Sequence, residues 1–405
     1  MNDHSTSIQN NKTLQKKIGE VSDRLSGIEE YYFSSKLRQI DEMNRQGRQV
    51  INLGIGSPDR PPHPDVIKTL QEEAVKPNQH GYQNYKGSPA LRNTMAKWYQ
   101  KWYDVQLNPD SEILPLIGSK EGIMHICMTY INEGDGVLIP NPGYPTYKSA
   151  ATIAGANVHA YTLKKENNWF PDFDELEKKD LSKVSLMFVN YPQMPTGQVP
   201  TTKMFESLIA FANKHQILIC HDNPYSFILT DKPMCLLSID GAKEVAIELN
   251  SLSKSHNMAG WRIGMLAGAK ERIEEVLRFK SNMDSGMFLP LQLAAAKALE
   301  LDQSWYDSVN EIYGKRREKV FELLNLLNCS FDKTQAGLFV WAEIPSAYKD
   351  GYELSDKVLN DSNVFITPGG IFGDAGNKYI RVSLCANEDK LLEAIERIKK
   401  DKQLN

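Results

Sequence analysis

The feature that most constrains this chain is a series of short apolar runs between about residues 112 and 270, separated by longer amphipathic stretches. The runs are Val137–Ile139, Leu186–Val189, Ile217–Cys220, Val245–Ile247 and Ile263–Ala267. Strands that are buried on both faces of a parallel sheet appear in a sequence as short, continuous apolar segments. The pattern therefore predicts an α/β fold with a mainly parallel sheet flanked by helices. Ligands of such sheets bind beyond the carboxyl ends of the strands.

The pattern changes after about residue 290, where a long helical region is followed by two strand-like segments, Gly337–Trp341 and Tyr379–Leu384. A final amphipathic helix, which Asn387 could cap, ends the chain. Its predicted apolar stripe consists of Leu391, Leu392, Ile395 and Ile398. We therefore expect a large domain over residues 48–290 and a smaller α+β domain formed by residues 1–47 and 291–405. Residues 1–25 are polar, and we expect them to be poorly ordered.

Composition narrows the class of protein. The 405 residues include 47 Lys and Arg against 51 Asp and Glu, a balance that argues against broad binding to nucleic acid. No apolar run approaches the ~18 residues of a membrane span, and the first residues lack the apolar centre of a signal peptide. Five cysteines without CxxC spacing are typical of reduced thiols in a cytoplasmic protein and argue against a zinc site. We expect no metal.

Lys254 is the first residue that suggests chemistry. It follows the apolar run Val245–Ile247 and should lie at the carboxyl edge of the sheet. Ser251 and Ser253 precede it, and Arg262 follows eight residues later. A lysine in this position can form a Schiff base, while serine hydroxyls and an arginine can bind a phosphate. Taken alone, a serine-rich surface turn is the more common meaning of such a stretch.

Asp222 comes directly after the apolar run Ile217–Cys220, at the same predicted edge. A carboxylate there can pair with a protonated ring nitrogen, as the ring of pyridoxal phosphate requires. Tyr225, three residues later, could donate to the phenolate oxygen of such a ring. In isolation, a helix N-cap or a buried ion pair would explain Asp222 equally well.

The turn Gly118-Ser119-Lys120-Glu121-Gly122 stands between an apolar stretch and an amphipathic one. A small turn that opens a helix offers free N–H groups and a positive dipole to a phosphate. The turn lacks the GxxxxGK[ST] pattern of a nucleotide P-loop, and Gly54-Ile55-Gly56 lacks the third glycine of a dinucleotide fingerprint. A helix start without a ligand remains the more common meaning of the turn.

Two further side chains need an explanation. Tyr144 lies in a proline-rich turn after Val137–Ile139, where its ring could stack on a cofactor or simply pack. Arg381 lies in the otherwise apolar segment Tyr379–Leu384. An arginine there needs an anionic partner, either an internal acid or a substrate carboxylate held bidentately.

In this order the residues resemble those of the class I aminotransferases, the fold-type-I enzymes that use pyridoxal 5'-phosphate. The resemblance extends from about Tyr31 to residue 400. It rests on Gly118–Gly122, Pro195–Gly197, Asp222 with Tyr225, Lys254–Arg262, and Arg381. It implies that Lys254 binds the cofactor covalently and carries protons, that Asp222 holds the ring nitrogen, that Tyr225 holds the phenolic oxygen and that Tyr144 stacks on the ring.

The resemblance also implies the remaining contacts. The expected phosphate ligands are Gly118, Ser119, Lys120, Ser251, Ser253 and Arg262. Tyr82 would reach the phosphate of a partner subunit, which implies a homodimer. Arg381 would bind the α-carboxylate of the substrate, and Gly56 would lie in a flexible segment that covers it.

The implied reaction is ping-pong transamination between an L-amino acid and a 2-oxo acid. The turn at Gly118–Gly122 and the stretch Asp284–Phe288 are most similar to the branch of LL-diaminopimelate aminotransferases and related aspartate and alanine enzymes. Aspartate, alanine, glutamate and LL-diaminopimelate are therefore the candidate substrates. Arg60 and Lys280 are the candidates for binding a distal carboxylate, although each also fits a solvated surface charge.

Two alternatives stay open. A carbon–sulfur β-lyase would use the same lysine, aspartate and arginines on the same scaffold. A non-catalytic, cofactor-binding regulator would need a DNA-binding domain, and the polar segment before Tyr31 is too short for a typical winged-helix module.

The chain departs from the family pattern at one place. The family usually has Asn-Pro-Thr-Gly, and its asparagine donates to the phenolic oxygen, whereas here Met194 precedes Pro195. Losing one such hydrogen bond costs about 0.5–1.5 kcal/mol, and it should raise the pKa of the bound cofactor. We expect that Tyr225, helped by Gln193, is sufficient and that activity survives.

Overall fold

A computed structural model describes residues 19–404 apart from residues 29 and 31, so the predicted disorder of residues 1–18 lies outside the described residues. The helices are α1 (Tyr32–Arg45), α2 (Pro64–Ala74), α3 (Pro89–Tyr103), α4 (Ser119–Tyr130), α5 (Pro145–Ile153), α6 (Phe173–Leu176), α7 (Thr202–His215), α8 (Ala242–Val245), α9 (Leu252–Ser255), α10 (Lys270–Lys280), α11 (Leu289–Leu299), α12 (Gln303–Leu326), α13 (Gly351–Ser362) and α14 (Glu388–Leu404). The strands are β1 (Ile51–Asn52), β2 (Ile113–Leu116), β3 (Gly136–Asn141), β4 (Asn157–Thr162), β5 (Val184–Asn190), β6 (Leu218–Asp222), β7 (Ala246–Ser251), β8 (Gly264–Gly268), β9 (Ser330–Phe331), β10 (Phe339–Glu343), β11 (Val364–Phe365), β12 (Thr367–Pro368) and β13 (Tyr379–Ser383).

The large sheet has seven strands in the order β2-β8-β7-β6-β5-β3-β4. Strand β8 runs antiparallel to both of its neighbours, and the other strands run parallel to one another. All five predicted apolar runs lie in this sheet, which confirms the α/β fold with a mainly parallel sheet. Strand β4 escaped the prediction because it is an edge strand with mostly exposed residues.

Helices cover both faces of this sheet, as strand β5 illustrates. Leu186 and Phe188 pack on one face in a core that includes α4 and α5. Met187 and Val189 point to the other face, into a core that includes α3, α7 and α11. Alternate residues of one strand therefore bury into different cores, so the run has to be apolar throughout.

The second part of the chain is built on a four-stranded antiparallel sheet in the order β12-β13-β10-β9, packed against α12, α13 and α14. Helix α1 contacts this part through Phe33, which clusters with Leu359 and Phe365. Strand β1 also belongs here, since it pairs with β11. The predicted boundary at residue 48 had assigned β1 to the large domain. That boundary was too early, because a two-residue strand shows no periodicity that would reveal its partner.

The last helix, α14, corrects one predicted core residue. Leu391, Ile395 and Ile398 are buried, whereas 43% of Leu392 is exposed. The buried three follow the i, i+4, i+7 spacing of one helical face, and Leu392 lies about 100° away from Leu391. The predicted cap is confirmed, since Asn387 Oδ1 accepts a hydrogen bond from the Lys390 backbone N–H at 3.0 Å.

Among the helices of the described residues, none combines the length and the apolar character needed to cross a membrane.

Candidate active site

Three chain segments meet at the carboxyl edge of the large sheet. Asp222 is the last residue of β6, and Lys254 lies in α9, directly after the neighbouring strand β7. Gly118 lies between β2 and α4, two strands further along the same sheet. Because β2, β6 and β7 point in the same direction, the folded sheet collects side chains that are far apart in the sequence.

Asp222 is a buried carboxylate whose two oxygens differ in their hydrogen bonding. Its Oδ2 accepts a hydrogen bond from the Tyr147 hydroxyl at 2.8 Å. Within the described residues, its buried Oδ1 has no hydrogen-bond partner. Burial raises the pKa of Asp222 to about 6, against the lowering effects of Tyr147 and His221. An unused buried acceptor of this kind is suited to a charged N–H donor.

Lys254 has an amine that is easier to deprotonate than usual. Burial lowers its pKa, and the positive charges of Arg381 and Arg262 lower it further, while Cys385 and Asp222 act in the opposite direction. The Nζ atom donates a hydrogen bond to the Gly56 carbonyl oxygen. A lysine whose charged form is disfavoured in this way is a good nucleophile and a good proton acceptor.

Gly118 and Arg262 form a cradle at the N-terminus of α4. A Cβ atom on Gly118, which has a φ of 85°, would lie 2.1 Å from the Arg262 Nη2 atom. A Cβ atom on Gly264 would lie 2.7 Å from the Ser119 backbone nitrogen. Both glycines therefore let an arginine and the first N–H groups of a helix approach one another closely. Such an arrangement binds anions, and phosphate above all.

Hydroxyl groups complete this cradle. Ser251 Oγ donates to Ser253 Oγ at 2.9 Å, and Arg262 Nη1 lies 3.5 Å from Ser253 Oγ. Lys120 follows Ser119 in the first turn of α4, with its side chain exposed. The structure thus brings together five of the six predicted phosphate ligands, Gly118, Ser119, Ser251, Ser253 and Arg262, whereas the Lys120 side chain is exposed.

Arg381, in β13, is held by aromatic rings and a backbone carbonyl. Its guanidinium lies 3.8 Å from the Phe339 ring centroid and 4.6 Å from that of Phe372. Its Nη2 donates to the Gly54 carbonyl oxygen at 2.8 Å, and its Nη1 lies 3.4 Å from Met194 Sδ. Packing against aromatic rings holds a guanidinium in a defined orientation, as bidentate binding of a carboxylate requires.

Gly56 lies beside this arginine. A Cβ atom on Gly56 would come within 2.2 Å of the Phe339 ring, so only glycine lets the segment pass here. The segment contacts both parts of the chain, since Gly56 accepts from Lys254 and Gly54 accepts from Arg381.

The structure places two predicted tyrosines at the site and leaves one outside it. Tyr144 precedes α5, and its ring meets that of Tyr147 edge-on at 5.6 Å. Tyr225 is buried, and burial raises its pKa against the lowering effect of Arg381. Tyr82, by contrast, is 94% exposed on the loop between α2 and α3, so it takes no part in the site of its own chain.

Gln193 does not replace the missing family asparagine, contrary to our expectation. Its Nε2 donates to the Pro142 carbonyl oxygen at 3.0 Å, and its Oε1 accepts from the Thr196 N–H at 2.9 Å. The Asn190 side chain is also occupied by backbone hydrogen bonds. Its Nδ2 donates to the Asp222 carbonyl oxygen, and its Oδ1 accepts from the Met194 N–H. Both side chains serve the fold of the Tyr191–Gly197 loop, which leaves Tyr225 as the hydroxyl available to a phenolic oxygen.

Neither candidate for a distal carboxylate is arranged for that role. Lys280 is 1% exposed, and its Nζ contacts Asp284 Oδ2 at 2.8 Å. Arg60 is exposed and lines a surface groove with Pro61 and Trp305.

Tyr147, which donates to Asp222, and Phe339, which packs on Arg381, were not predicted from the sequence. Tyr147 lies one helical turn after Tyr144, at the start of α5, and that spacing could have revealed it. Phe339 gives no such signal, because only the pairing of β10 with β13 brings it to Arg381.

These features define a class of protein. An unused buried acid, an anion cradle and a lysine of lowered pKa fit the ring nitrogen, the phosphate and the aldehyde of one cofactor, pyridoxal 5'-phosphate. The site is that of a pyridoxal-phosphate-dependent enzyme.

The comparisons with known proteins give the family. Residues 48–398 match the family model described as aminotransferase class I and II. The LL-diaminopimelate aminotransferase of Dehalococcoides mccartyi is 40% identical over 94% of this chain and 98% of its own length. The enzyme of the same name from Halothermothrix orenii is 39% identical over 94% of this chain and 98% of its own length. The apo structure of BacF from Bacillus subtilis is 35% identical, with a TM-score of 0.91 over 95% of this chain and 98% of that one.

The chain belongs to the class I and II aminotransferases and is a pyridoxal-phosphate-dependent transaminase.

The Tyr147 contact yields a prediction. Replacing Tyr147 by Phe removes the hydroxyl that lowers the pKa of Asp222, so in the cofactor-free protein that pKa should rise above its value of about 6. Carboxyl chemical shifts of aspartate-labelled protein, recorded against pH, measure the change directly.

Tyr161→Phe is the matched control. Tyr161 is equally buried, but its hydroxyl donates to the Phe188 carbonyl oxygen at 2.7 Å. If Asp222 titrates at the same pH in Tyr147→Phe as in the unmodified protein, the hydrogen bond has no influence on the charge of Asp222.

Proposed function

We propose that this chain transfers the amino group of an L-amino acid to a 2-oxo acid, with the residues of the candidate site in the roles that the family resemblance implies. The observation that carries the proposal is the unused, buried Oδ1 of Asp222. A carboxyl group in this position is unfavourable in an empty site, and a protonated ring nitrogen would stabilise it.

The reaction balances without an external oxidant. The donor loses its amino group and its α-hydrogen and becomes a 2-oxo acid. The carbonyl oxygen of this 2-oxo acid comes from water. In the second half-reaction an acceptor 2-oxo acid gains the amino group and the hydrogen, releases its carbonyl oxygen as water and becomes an amino acid, so the acceptor is reduced as the donor is oxidised.

When bound, pyridoxal phosphate supplies a ring that accepts the electron pair left when the α-hydrogen departs as a proton. Asp222 would hold the proton on the ring nitrogen, and Tyr225 would donate to the phenolic oxygen. Tyr144 would stack against the ring. The Gly118–Lys120 turn, Ser251, Ser253 and Arg262 would bind the phosphate.

Lys254 would act as both covalent anchor and proton carrier. Its lowered pKa favours the neutral amine, which is the form that attacks a carbonyl carbon and removes a proton from the substrate's α-carbon. Arg381 would bind the α-carboxylate and so fix the α-hydrogen toward Lys254. The segment at Gly56, which contacts Lys254, would cover the bound substrate.

We also propose a homodimer in the cytoplasm. Tyr82, which would contact a partner's phosphate, lies on a loop that exposes a further large hydrophobic side chain, Tyr85. Met283 and Phe288 are exposed on a second loop.

The proposed cytoplasmic location is supported by the thiols of Cys127, Cys220, Cys235 and Cys385, which are buried and form no disulfide.

The covalent role of Lys254 can be tested chemically. Borohydride reduction of the reconstituted protein should fix the cofactor to the peptide that contains Lys254, as mass spectrometry of the digest would show. Lys254→Ala should bind cofactor without covalent attachment and should lose turnover. Attachment at any other lysine would contradict the assignment.

A single-turnover reaction on the same protein separates transamination from β-elimination. A donor that converts the bound cofactor stably to pyridoxamine phosphate supports transamination. Pyruvate released with recovery of the original spectrum, in the absence of a 2-oxo acid, would favour the lyase.

Met194 should alter the electronic properties of the bound cofactor. Because the structure offers no amide in place of the family asparagine, Met194→Asn should add a donor to the phenolic oxygen. The visible absorbance band of the reconstituted protein should then titrate at lower pH. Met204→Asn, in α7 within the large core, is a control for the general effect of a buried amide. An unchanged titration in Met194→Asn would show that the position has no electronic role.

A further inference from the structure

A histidine and a glutamate are buried together beside the acid of the site. His221 precedes Asp222 in β6, and Glu248 pairs with His221 in the neighbouring strand β7. Both side chains are fully buried. The His221 ring packs in the large core, where the Phe205 ring meets it edge-on with the centroids 5.2 Å apart. The roles assigned so far use neither residue.

Glu248 is surrounded by hydrogen-bond donors. Its Oε2 accepts from the Leu236 backbone N–H at 3.1 Å. Its Oε1 accepts from the Tyr99 hydroxyl at 3.1 Å and from Asn223 Nδ2 at 3.4 Å. An ionised carboxylate accepts on both oxygens, whereas a protonated one has to donate from one of them. Donors at both oxygens therefore favour the ionised form of Glu248.

His221 has a hydrogen-bond acceptor at each ring nitrogen. Its Nδ1 lies 2.8 Å from Glu248 Oε2, and its Nε2 lies 3.0 Å from the Tyr191 carbonyl oxygen. A neutral imidazole has one N–H group and one lone pair, so either tautomer would turn a lone pair toward an acceptor. The imidazolium donates at both nitrogens. The contacts of His221 therefore favour a positively charged ring.

A second buried histidine shows that burial alone has the opposite effect. Burial lowers the pKa of His256 to about 3, so its ring is neutral at neutral pH. Its ring nitrogens contact Ser255 Oγ at 2.9 Å and the Tyr306 hydroxyl at 3.2 Å. A hydroxyl can donate as well as accept, so a neutral ring satisfies both contacts. His221 differs because neither a carboxylate nor a carbonyl oxygen can donate.

Stability is a poor explanation for this ion pair. A buried pair seldom stabilises a fold more than apolar side chains of the same volume would, because both charges lose their hydration. The pair does, however, act on Asp222. Burial raises the pKa of Asp222, and His221 lowers it by more than Glu248 raises it. The net effect of the pair is to favour the ionised carboxylate.

The other ionisable groups around Asp222 and the pair are uncharged or act less strongly. Lys254 also lowers the pKa of Asp222, but by less than His221 does. Burial raises the pKa of the neighbouring phenols and thiols, which therefore stay neutral. These groups belong to Tyr99, Tyr103, Tyr144, Tyr147, Cys220, Tyr225 and Cys235.

We infer that His221 is a protonated positioning residue with Glu248 as its counter-ion, and that its charge keeps a proton on the cofactor's ring nitrogen rather than on Asp222. The inference rests on the proposed function, in which Asp222 faces that nitrogen. His221 is the direct neighbour of Asp222, while the ring would lie beyond Oδ1. Its positive charge therefore lowers the proton affinity of the carboxylate more than that of the ring nitrogen.

The charge of His221 can be measured without any substitution. The holoenzyme is labelled with ¹⁵N in its histidine rings and with ¹³C at its tyrosine carbonyls. Among the described histidines, His221 alone has a ring nitrogen hydrogen-bonded to a tyrosine carbonyl oxygen, so dipolar coupling between the labels identifies its signals. At about pH 8, where a free histidine is neutral, both of its nitrogens should carry a proton. His256 should be neutral in the same spectrum. A single protonated nitrogen in His221 would overturn the inference.

The effect on the cofactor is measured at its own nitrogen. Holoenzyme reconstituted with pyridoxal phosphate that carries ¹⁵N in the ring should show a protonated ring nitrogen. His221→Gln removes the imidazolium and leaves Glu248 unpaired, so the nitrogen signal should shift toward that of the neutral ring. In the cofactor-free chain, Asp222 should titrate about one pH unit higher than in the unmodified protein.

Adding Glu248→Gln separates a charge effect from a structural defect. The double variant His221→Gln/Glu248→Gln lacks both charges, so the nitrogen signal and the Asp222 titration should return part of the way to their unmodified positions. A purely structural role of His221 predicts no such recovery.

The outcomes distinguish this inference from the proposed function. A ring nitrogen that His221→Gln leaves unchanged, or a double variant without recovery, would overturn the inference and leave the transaminase intact. A ring nitrogen that is unprotonated in the unmodified holoenzyme would contradict the role of Asp222 itself. If His221→Gln does not fold, the spectrum of the unmodified holoenzyme still decides whether His221 is charged.

Discussion

A carboxylate buried at the end of a strand is the constraint on which this site depends. Asp222 lies where water cannot stabilise its charge, and among the described residues its carboxylate accepts a hydrogen bond from one donor, the Tyr147 hydroxyl. Tyr147 is fixed in turn by stacking on Phe188, with ring centroids 4.8 Å apart. The carboxyl group is therefore held in one orientation, with Oδ1 left over for a ligand. Burying an acid in this way is costly in the empty protein, and binding a protonated ring offsets the cost.

The segment Gly54–Gly56 connects Lys254 to the smaller part of the chain. Its three consecutive carbonyl oxygens accept hydrogen bonds from Arg381, Ser383 and Lys254 in turn. Two of these donors belong to β13 and the third follows β7, so one short segment is hydrogen-bonded to both parts of the protein. A ligand that engages Lys254 and Arg381 together would compete for these contacts, which gives a physical route from binding to movement of the segment.

The sequence predicted the chemistry better than the contacts that support it. Lys254 and Asp222 could be found because each follows a short apolar run, and parallel strands align their carboxyl ends. Phe339 could not be assigned, since its role arises from the pairing of β10 with β13, whereas Tyr147 could have been found from its spacing to Tyr144. Gln193 was misjudged for a related reason, because a glutamine that serves a loop backbone and one that faces a ligand have the same local sequence. Leu392 was wrongly placed in the buried stripe of α14, because adjacent residues of a helix point about 100° apart.

The most direct test of this account is a crystal structure of the chain with pyridoxal phosphate. We predict that the ring nitrogen lies within hydrogen-bond distance of Asp222 Oδ1, that density is continuous from the cofactor to Lys254 Nζ, and that the phosphate occupies the cradle of Gly118 and Arg262. Tyr147 should keep its hydrogen bond to Oδ2. A bound cofactor whose ring nitrogen is remote from Asp222, or whose phosphate lies outside the cradle, would contradict the central claim.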